Sequence, residues 1–454
     1  MSKHDNKKDY IVKTGEVLIG SSLLKSKKFQ PKDRLGYMLN NMEANNAFKS
    51  KKTSSKNENN KILESLKNDF KNYRSQWDSQ PNKLISEKAK SDNFNLKNLK
   101  PLCIDIEVAA ICDLACSFCF REYEVTPDKI IDEKFCYNLI DQAAELKIPS
   151  IKFNWRGEPL LHPKLPLFIK YAKRKGILET IINTNATNLT EKKSKELIKS
   201  GLDFIIYSFD GGSKKTYEKM RPGRFKKNKF ENVYENIKNF KKIKDQMKTS
   251  FPYTKIQMIL TKDTMDEVDN FFKLFEDYVD DVSLSQYTER GGGLDALNEL
   301  EQIKYKKKIK EKNLPEGTPY LKDLDGNIKI SNGRIPCKQP FQRLMITYEG
   351  KVAMCCYDWG AKHTVGYLNT KSFSNKKDYT NVFEKAKNRD KGFELLENIK
   401  MPKPFNLPEQ KIETIKEVWF GKEINRVRDD HIQCGGTNTE ICQGCTFKDV
   451  YKWS

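Results

Sequence analysis

"ICDLACSFCF", residues 111–120, sets Cys112, Cys116 and Cys119 within eight positions, directly after an apolar run, "CIDIEVA" (103–109), that reads as a buried strand. Three thiols at this spacing fit on one compact loop and stop one short of the four ligands that close a structural metal site. Catalytic metal sites keep such a position open. A strand running into a ligand-bearing loop is also how barrel enzymes place function, at the carboxyl ends of their strands.

Downstream of the loop, short apolar runs alternate with helical periodicity. Strands are expected at 150–155, 178–183, 203–209, 254–260 and 281–287, and helices at 132–147, 163–175, 190–200, 229–247 and 264–279. This alternation predicts a parallel sheet with helices outside. Six strand-first units make most of a barrel, so the fold class is α/β, a partial (β/α)6 TIM-like barrel. "ERGGGLD" (289–295) interrupts the pattern; no helix-opening Lys-Ser/Thr follows its glycines, which reads as a flexible linker rather than a phosphate loop. Beyond 334, a hairpin over 343–358 turning at Glu349-Gly350, a long helix over 409–432 and the closing "CGGTNTEICQGCTF" predict a small α+β domain. Four segments result: a basic, partly disordered extension (1–100), with 49–61 read as mobile and no chemistry apparent; a core (101–290); a polar linker (291–333); and a C-terminal domain (334–454).

The bulk properties of the 454 residues narrow the class. No run approaches the roughly 18 apolar residues of a membrane span, and the N-terminus lacks the apolar core of a secretory signal, so a soluble cytoplasmic protein is expected. The formal charge of +21 comes from 83 lysines and arginines, of which only 13 are arginine. Lysines interleaved with Glu and Asp read as solvated faces, whereas a nucleic-acid reader groups Arg with aromatics. With a mean hydropathy of −0.75 the surface is very polar. Eleven cysteines without a secretory signal point to metal or redox chemistry rather than a disulfide framework.

A cubane iron–sulfur cluster wants a thiolate on each of four irons, so three cysteines leave one iron open. A zinc site borrowing a distant His, or buried structural thiols, would use the same residues. In the C-terminal part, Cys337, Cys355, Cys442 and Cys445 can close four ligands around one cluster; a zinc ribbon follows the same logic. Cys356 and Cys434 are rivals: adjacent thiols point to opposite strand faces, so Cys355 and Cys356 can hardly both ligate one cluster, and Cys434 is near enough in sequence to replace Cys442. Cys103, Cys136 and Trp419 are expected in cores, and His162, His363 and His431 read as structural or surface residues.

The Cys-x3-Cys-x2-Cys order with Phe118 before its last cysteine, "NWRGEPLLHP" (154–163), "NTNAT" (183–187) and "YSFDGG" (207–212) together resemble the radical S-adenosylmethionine (SAM) superfamily. The resemblance covers residues 101–450. It implies a [4Fe–4S] cluster on Cys112, Cys116 and Cys119 whose open iron is chelated by SAM. It also implies cleavage of SAM to methionine and a 5′-deoxyadenosyl radical, which abstracts hydrogen from substrate. It places Phe118 against the adenine, Gly157, Glu158 and Pro159 at the SAM amino group, with Arg156 in place of a glycine, and Ser208 and Asp210 near the ribose or carboxylate. The C-terminal cysteines, "IKEVW" (415–419) and "RVRDDH" (426–431) resemble SPASM/twitch extensions. A full SPASM domain would have seven cysteines, including a run that is missing after Cys445, so the resemblance implies one auxiliary [4Fe–4S] cluster. Implied partners are a small-molecule or peptide substrate and a reduced flavodoxin or ferredoxin-type donor, with neither membrane nor nucleic acid. The first functional reading is oxidation of an alcohol or sugar, the auxiliary cluster accepting an electron. The second is a peptide maturase forming thioethers or cross-links, and the third a non-catalytic, RNA-associated metal protein. No residue is assigned as the catalytic base.

Overall fold

Along strand Tyr253–Leu260, Ile256, Met258 and Leu260 are fully buried, while Gln257 and Ile259, pointing the other way, line an internal cavity. One strand thereby serves both the core and the site, because successive side chains leave opposite faces of a sheet. The structure, a computed structural model, describes residues 10–13, 16–19, 32–88, 99–116, 118–119, 121, 127–261, 263–286, 299–314, 320–322, 328–361, 363–373, 411–443, 445, 447 and 450–453.

Strands β1 (Tyr10–Lys13) and β2 (Glu16–Ile19) form an antiparallel pair. The core sheet begins with β3 (Cys103–Ile106), β4 (Ser150–Lys152), β5 (Glu179–Thr184), β6 (Phe204–Ser208), β7 (Tyr253–Leu260) and β8 (Asp281–Gln286), each parallel to the next. Helices Glu133–Glu145, Leu165–Arg174, Glu191–Ser200, Phe230–Gln246 and Val268–Phe275 connect them, and the short helix Lys214–Met220 is an addition to the expected set. The architecture is the α/β partial barrel with function-ready loops at one end. Among the described residues, no helix is long and apolar enough to cross a membrane.

The 291–333 stretch departs from a linker. Helix Glu299–Glu311 packs Ile309 against Ile330, and β9 (Tyr320–Lys322) pairs with β10 (Ile328–Arg334). Its lysines hid a narrow apolar stripe, Tyr305 and Ile309, four residues apart. The "ERGGGLD" segment lies outside the described residues. The expected hairpin forms as β11 (Arg343–Ile346) and β12 (Lys351–Ala353), with Gly350 at φ +101° in its turn. It is not a detached unit: β11 runs parallel to β3, so β13 (Thr364–Tyr367), β12 and β11 extend the barrel into one nine-stranded sheet. A last strand, β14 (Tyr451–Trp453), pairs with β10. The expected 409–432 helix is two helices, Ile415–Phe420 and Lys422–Cys434, broken at Gly421, where ψ is 166°; residues 409–410 lie outside the described set. Thr414 and Glu417 form a capping box that sets the first of them.

The N-terminal residues also depart from the expectation. Instead of a mobile 49–61, Thr53 bonds the Glu58 carboxylate at 2.8 Å and the Asn59 side chain, and helix Lys56–Lys88 begins. Its Lys and Asn content masked a stripe of Leu66, Phe70, Tyr73 and Trp77 at helical spacing. These pack with Met38, Met42, Phe48, Leu102 and Phe251. The stripe closes the amino end of the barrel: Tyr73 donates to Ser150 and Glu179, Arg34 pairs with Glu179, and Asn45 with Asp203 at 2.6 Å. Removing the ring of Phe70 (1% exposed) is expected to cost about 3–5 kcal/mol. Urea unfolding of Phe70→Ala against wild type reads this directly; an unchanged midpoint would mean that the helix is not part of the cooperative core.

Candidate functional site

At the carboxyl ends of the strands lies a cavity of about 480 Å³. Asp105, Lys152, Asn183, Ser208, Gln257 and Ser285 reach it from β3 to β8, and Cys112, Cys116, Phe118 and Cys119 from the loop after β3. The loop's path is fixed by charges. Arg121 and Arg224 both pair with Asp128, and Asp113 accepts from Asn185 (2.8 Å), Thr187 (2.5 Å) and Asn188 (3.0 Å). "NTNAT" therefore acts here as a clamp on the cysteine loop. Asp113 and Arg224 carried no signal in the sequence, since a single Asp or Arg in a loop fits any turn.

Gly157 lets two loops touch. A Cβ there would sit 2.2 Å from the Ala109 carbonyl oxygen and 2.4 Å from that of Ile111, both backbone atoms. The Glu158 amide donates to the Ile111 oxygen at 2.9 Å. The buried Glu158 carboxylate accepts from Thr184 (2.6 Å) and the Leu160 amide on Oε1, and from the Asn185 amide (2.7 Å) on Oε2. Oε2 keeps a lone pair for a donor from the cavity. Pro159 starts the 3-10 turn that presents Leu160's amide and does not itself reach the cavity. Burial, reinforced by Asp113, pushes the Glu158 carboxyl up to about 7.

Ser208 lines the cavity, but Asp210 does not: it is fully buried behind Arg221, which it holds at 2.6 Å, while its other oxygen accepts from the Ile259 amide. Arg221, missed by sequence reasoning, stands over the Phe118 ring at 5.4 Å and aims Nη1 at the Cys116 sulfur, 3.7 Å away. Asn185 Nδ2 lies 3.9 Å from the Cys112 sulfur. Arg156, in the place of a glycine, makes a buried bidentate pair with Glu107 (2.6 and 2.7 Å) and donates to the Trp359 carbonyl.

The C-terminal thiols Cys337, Cys355, Cys442 and Cys445 lie near one another. Burial pushes the Cys337 thiol up to about 12, with Cys445 and Cys356 adding to the rise. Cys442 is likewise raised by burial and by Cys445 and Cys337, and Cys355 by burial, Cys356 and Asp358, then Cys337 and Cys442. His431, expected to be structural or on the surface, is buried between them: its Nδ1 accepts from the Cys337 amide and its Nε2 lies 3.5 Å from the Cys442 sulfur. Cys434 is exposed, and Cys356 follows the strand's end, facing the barrel cavity beside Arg343 (3.5 Å). Cys103 and Cys136 are buried, as are Trp419 and His162.

The residues fit the iron–sulfur and SAM groups. Side-chain N–H donors aimed at sulfur, from Arg221 and Asn185, suit thiolates better than thiols. Asn183 Oδ1 is buried at the cavity with no hydrogen-bond partner among the described residues, as are Nε and Nη1 of Arg334, which stands beside Cys337 and Cys442. Among the described residues no three His, Cys, Asp or Glu side chains converge on a single ion; a four-iron cube spreads its ligands over separate irons, so its thiolates need not meet at a point.

Residues 106–275 match the radical SAM superfamily and residues 337–394 the SPASM iron–sulfur cluster-binding domain. The chain belongs to the radical SAM superfamily. The radical SAM match brings a SAM-binding [4Fe–4S] cluster and SAM, and the SPASM match an auxiliary iron–sulfur cluster. This radical SAM chain is 31% identical, over 108 residues, to the tungsten-containing aldehyde ferredoxin oxidoreductase cofactor-modifying protein of Pyrococcus furiosus, covering 23% of this chain and 30% of that protein. It is 30% identical over 110 residues to the PqqA peptide cyclase of Streptomyces rochei, covering 23% and 28%. The matched region thus spans less than a third of these curated relatives. The crystal structure of BtrN in complex with AdoMet and 2-DOIA aligns with a TM-score of 0.42 and 18% identity over 77% of this chain and 95% of BtrN.

Two outcomes are expected at this site. Arg156→Met leaves the Glu107 carboxylate buried without its partner, at a cost of about 3–5 kcal/mol. The Glu107→Gln, Arg156→Met double variant should recover part of it, which a double-mutant cycle by urea unfolding measures. Glu158 gives a pH signature. Below about pH 4.5 its carboxyl is protonated in folded and unfolded chains alike; between 4.5 and 7 the unfolded chain ionises first, so stability falls as pH rises. Relative to Glu158→Gln, wild type should therefore lose about 1.4 kcal/mol per pH unit in that window. A difference that stays flat with pH would mean that Glu158 titrates normally.

Proposed function

We propose that this radical SAM enzyme oxidises a secondary alcohol on a small, sugar-like substrate. Cys112, Cys116 and Cys119 hold the SAM-binding cluster in this reading, and Cys337, Cys355, Cys442 and Cys445 the auxiliary one. Residues 101–290 are the catalytic core and 334–454 the auxiliary domain. The observation that carries the reading is that one packed wall, Trp155, Met345 and Trp359, stands between the SAM-side cysteines and the chain that carries Cys355. Cys119 and Cys356 pack against the same Trp155, Met345 and Trp359 cluster, and Cys356 adjoins Cys355. When bound, the SAM-binding cluster and SAM supply the hydrogen-abstracting 5′-deoxyadenosyl radical, and the auxiliary cluster an acceptor for the second electron of the oxidation.

The protein's own part is to bind and orient. Glu158, held by three donors, offers its remaining Oε2 lone pair to the SAM ammonium. Gly157 allows that contact by bringing the Glu158 loop against the cysteine loop, and Pro159 sets the turn behind it. Phe118 and Arg221 wall the adenine side, Asp210 acts through Arg221, and Ser208 reaches the ribose or carboxylate. Trp155 and Trp359, edge to face at 6.2 Å, exclude water from the wall between the two thiol sets. A reduced flavodoxin or ferredoxin-type protein supplies the electron. The peptide reading has its own support in the likeness to a peptide cyclase.

The test is anaerobic reconstitution. Wild type should bind roughly eight irons, and the Cys112→Ala, Cys116→Ala, Cys119→Ala variant roughly four, with 5′-deoxyadenosine formed by wild type alone. Iron content near four in wild type would remove the electron acceptor, and zinc without SAM cleavage would overturn the whole assignment. A peptide product lighter by two hydrogens, in place of a ketone, would decide for the second reading.

A further inference from the structure

Charge is unevenly matched around the cavity. Arg156 is matched by Glu107 and Arg221 by Asp210, and Glu158 faces the SAM side. At the β3–β4 wall, however, two cations stand against one carboxylate. Asp105 and Lys152 are register partners on neighbouring strands, and Arg343 of β11 reaches Asp105 at 3.4 Å. All three line the cavity. Asp105 is already engaged: its second oxygen takes the Cys103 thiol at 3.3 Å. Arg343 is held in place by Gln339 at 2.8 Å and turns Nη2 toward Cys356. Lys152, half-buried and lining the cavity, makes no hydrogen bond or ion pair among the described residues. Burial pulls its ammonium down from the ordinary value, with Asp105 opposing.

A half-buried cation in a confined cavity with no carboxylate of its own favours an anionic ligand, as charges drawn out of water are paired or ligand-bound. We propose that Lys152 and Arg343 form a binding site for an oxyanion of the substrate, a carboxylate or phosphate, so that the enzyme acts on an acid or a phosphorylated small molecule. The site rests on the cavity being the substrate chamber. Arg343 offers the directional donors and Lys152 the mobile point charge, a division suited to phosphate and carboxylate alike. Asp105 keeps Arg343 aimed and leaves one net positive charge for the ligand.

Inorganic phosphate and acetate serve as probes on the full, cluster-loaded chain at constant ionic strength, read by the thermal midpoint. Both should raise it. In Lys152→Met the half-saturating concentration should rise about tenfold or more, as loss of a charge-assisted contact implies, and Lys152→Arg should restore it. The titrations are repeated with saturating S-adenosylhomocysteine, which carries SAM's carboxylate. Phosphate binding that persists assigns the oxyanion to the substrate; competition assigns it to SAM and overturns the proposal. Coincident wild-type and Lys152→Met curves, or no midpoint shift at all, would overturn it as well. The readout needs no turnover, so failure of SAM cleavage would count against the proposed reaction and not against this site.

Discussion

The pairing of Glu107 with Arg156 is the contact on which the two halves of the molecule converge. Both side chains are out of water, and the bidentate geometry satisfies most of their polar atoms. Glu107 follows β3, Arg156 opens the loop that carries Gly157 and Glu158, and each spends a further bond on the C-terminal part: Glu107 accepts from the Tyr348 amide and Arg156 donates to the Trp359 carbonyl. A glycine at 156 would leave Glu107 buried without its partner, an expensive state at this depth. The residue that departs from the family motif is therefore the one that fastens the C-terminal part to the loop after β4.

The two ends of the barrel divide the work of stability and chemistry. At the amino end, Arg34, Tyr73, Asn45 and Lys173 satisfy the carboxylates of Glu179 and Asp203. At the carboxyl end, Asn183 Oδ1 and the Lys152 ammonium have no partner among the described residues. Polar groups closed among themselves lock a fold, and those left open await a ligand.

What could be read from the sequence follows from what periodicity records. The six core strands were legible because apolar runs bounded by turns repeat with helices between them, and the cysteine loop because thiol spacing is chemically specific. The N-terminal helix was not, since its stripe of Leu66, Phe70, Tyr73 and Trp77 is diluted by Lys and Asn on the other faces. Nor were Arg221, Asp113 and Lys152: single charged residues acquire meaning only through partners distant in sequence. His431 was discounted for the same reason, its neighbours Cys337 and Cys442 being brought to it by β10 and the last helices.

The parallel pairing of β11 with β3 has a bearing on how this architecture can be taken apart. In an arrangement of beads on a string, a C-terminal unit could be exchanged or removed at its linker. Here its hairpin is welded to the barrel through backbone hydrogen bonds. Severing it would bare one edge of β3, a strand buried along its whole length, with unpaired amides and carbonyls, and such edges recruit other chains. The C-terminal hairpin thus doubles as the cover of the barrel's first strand.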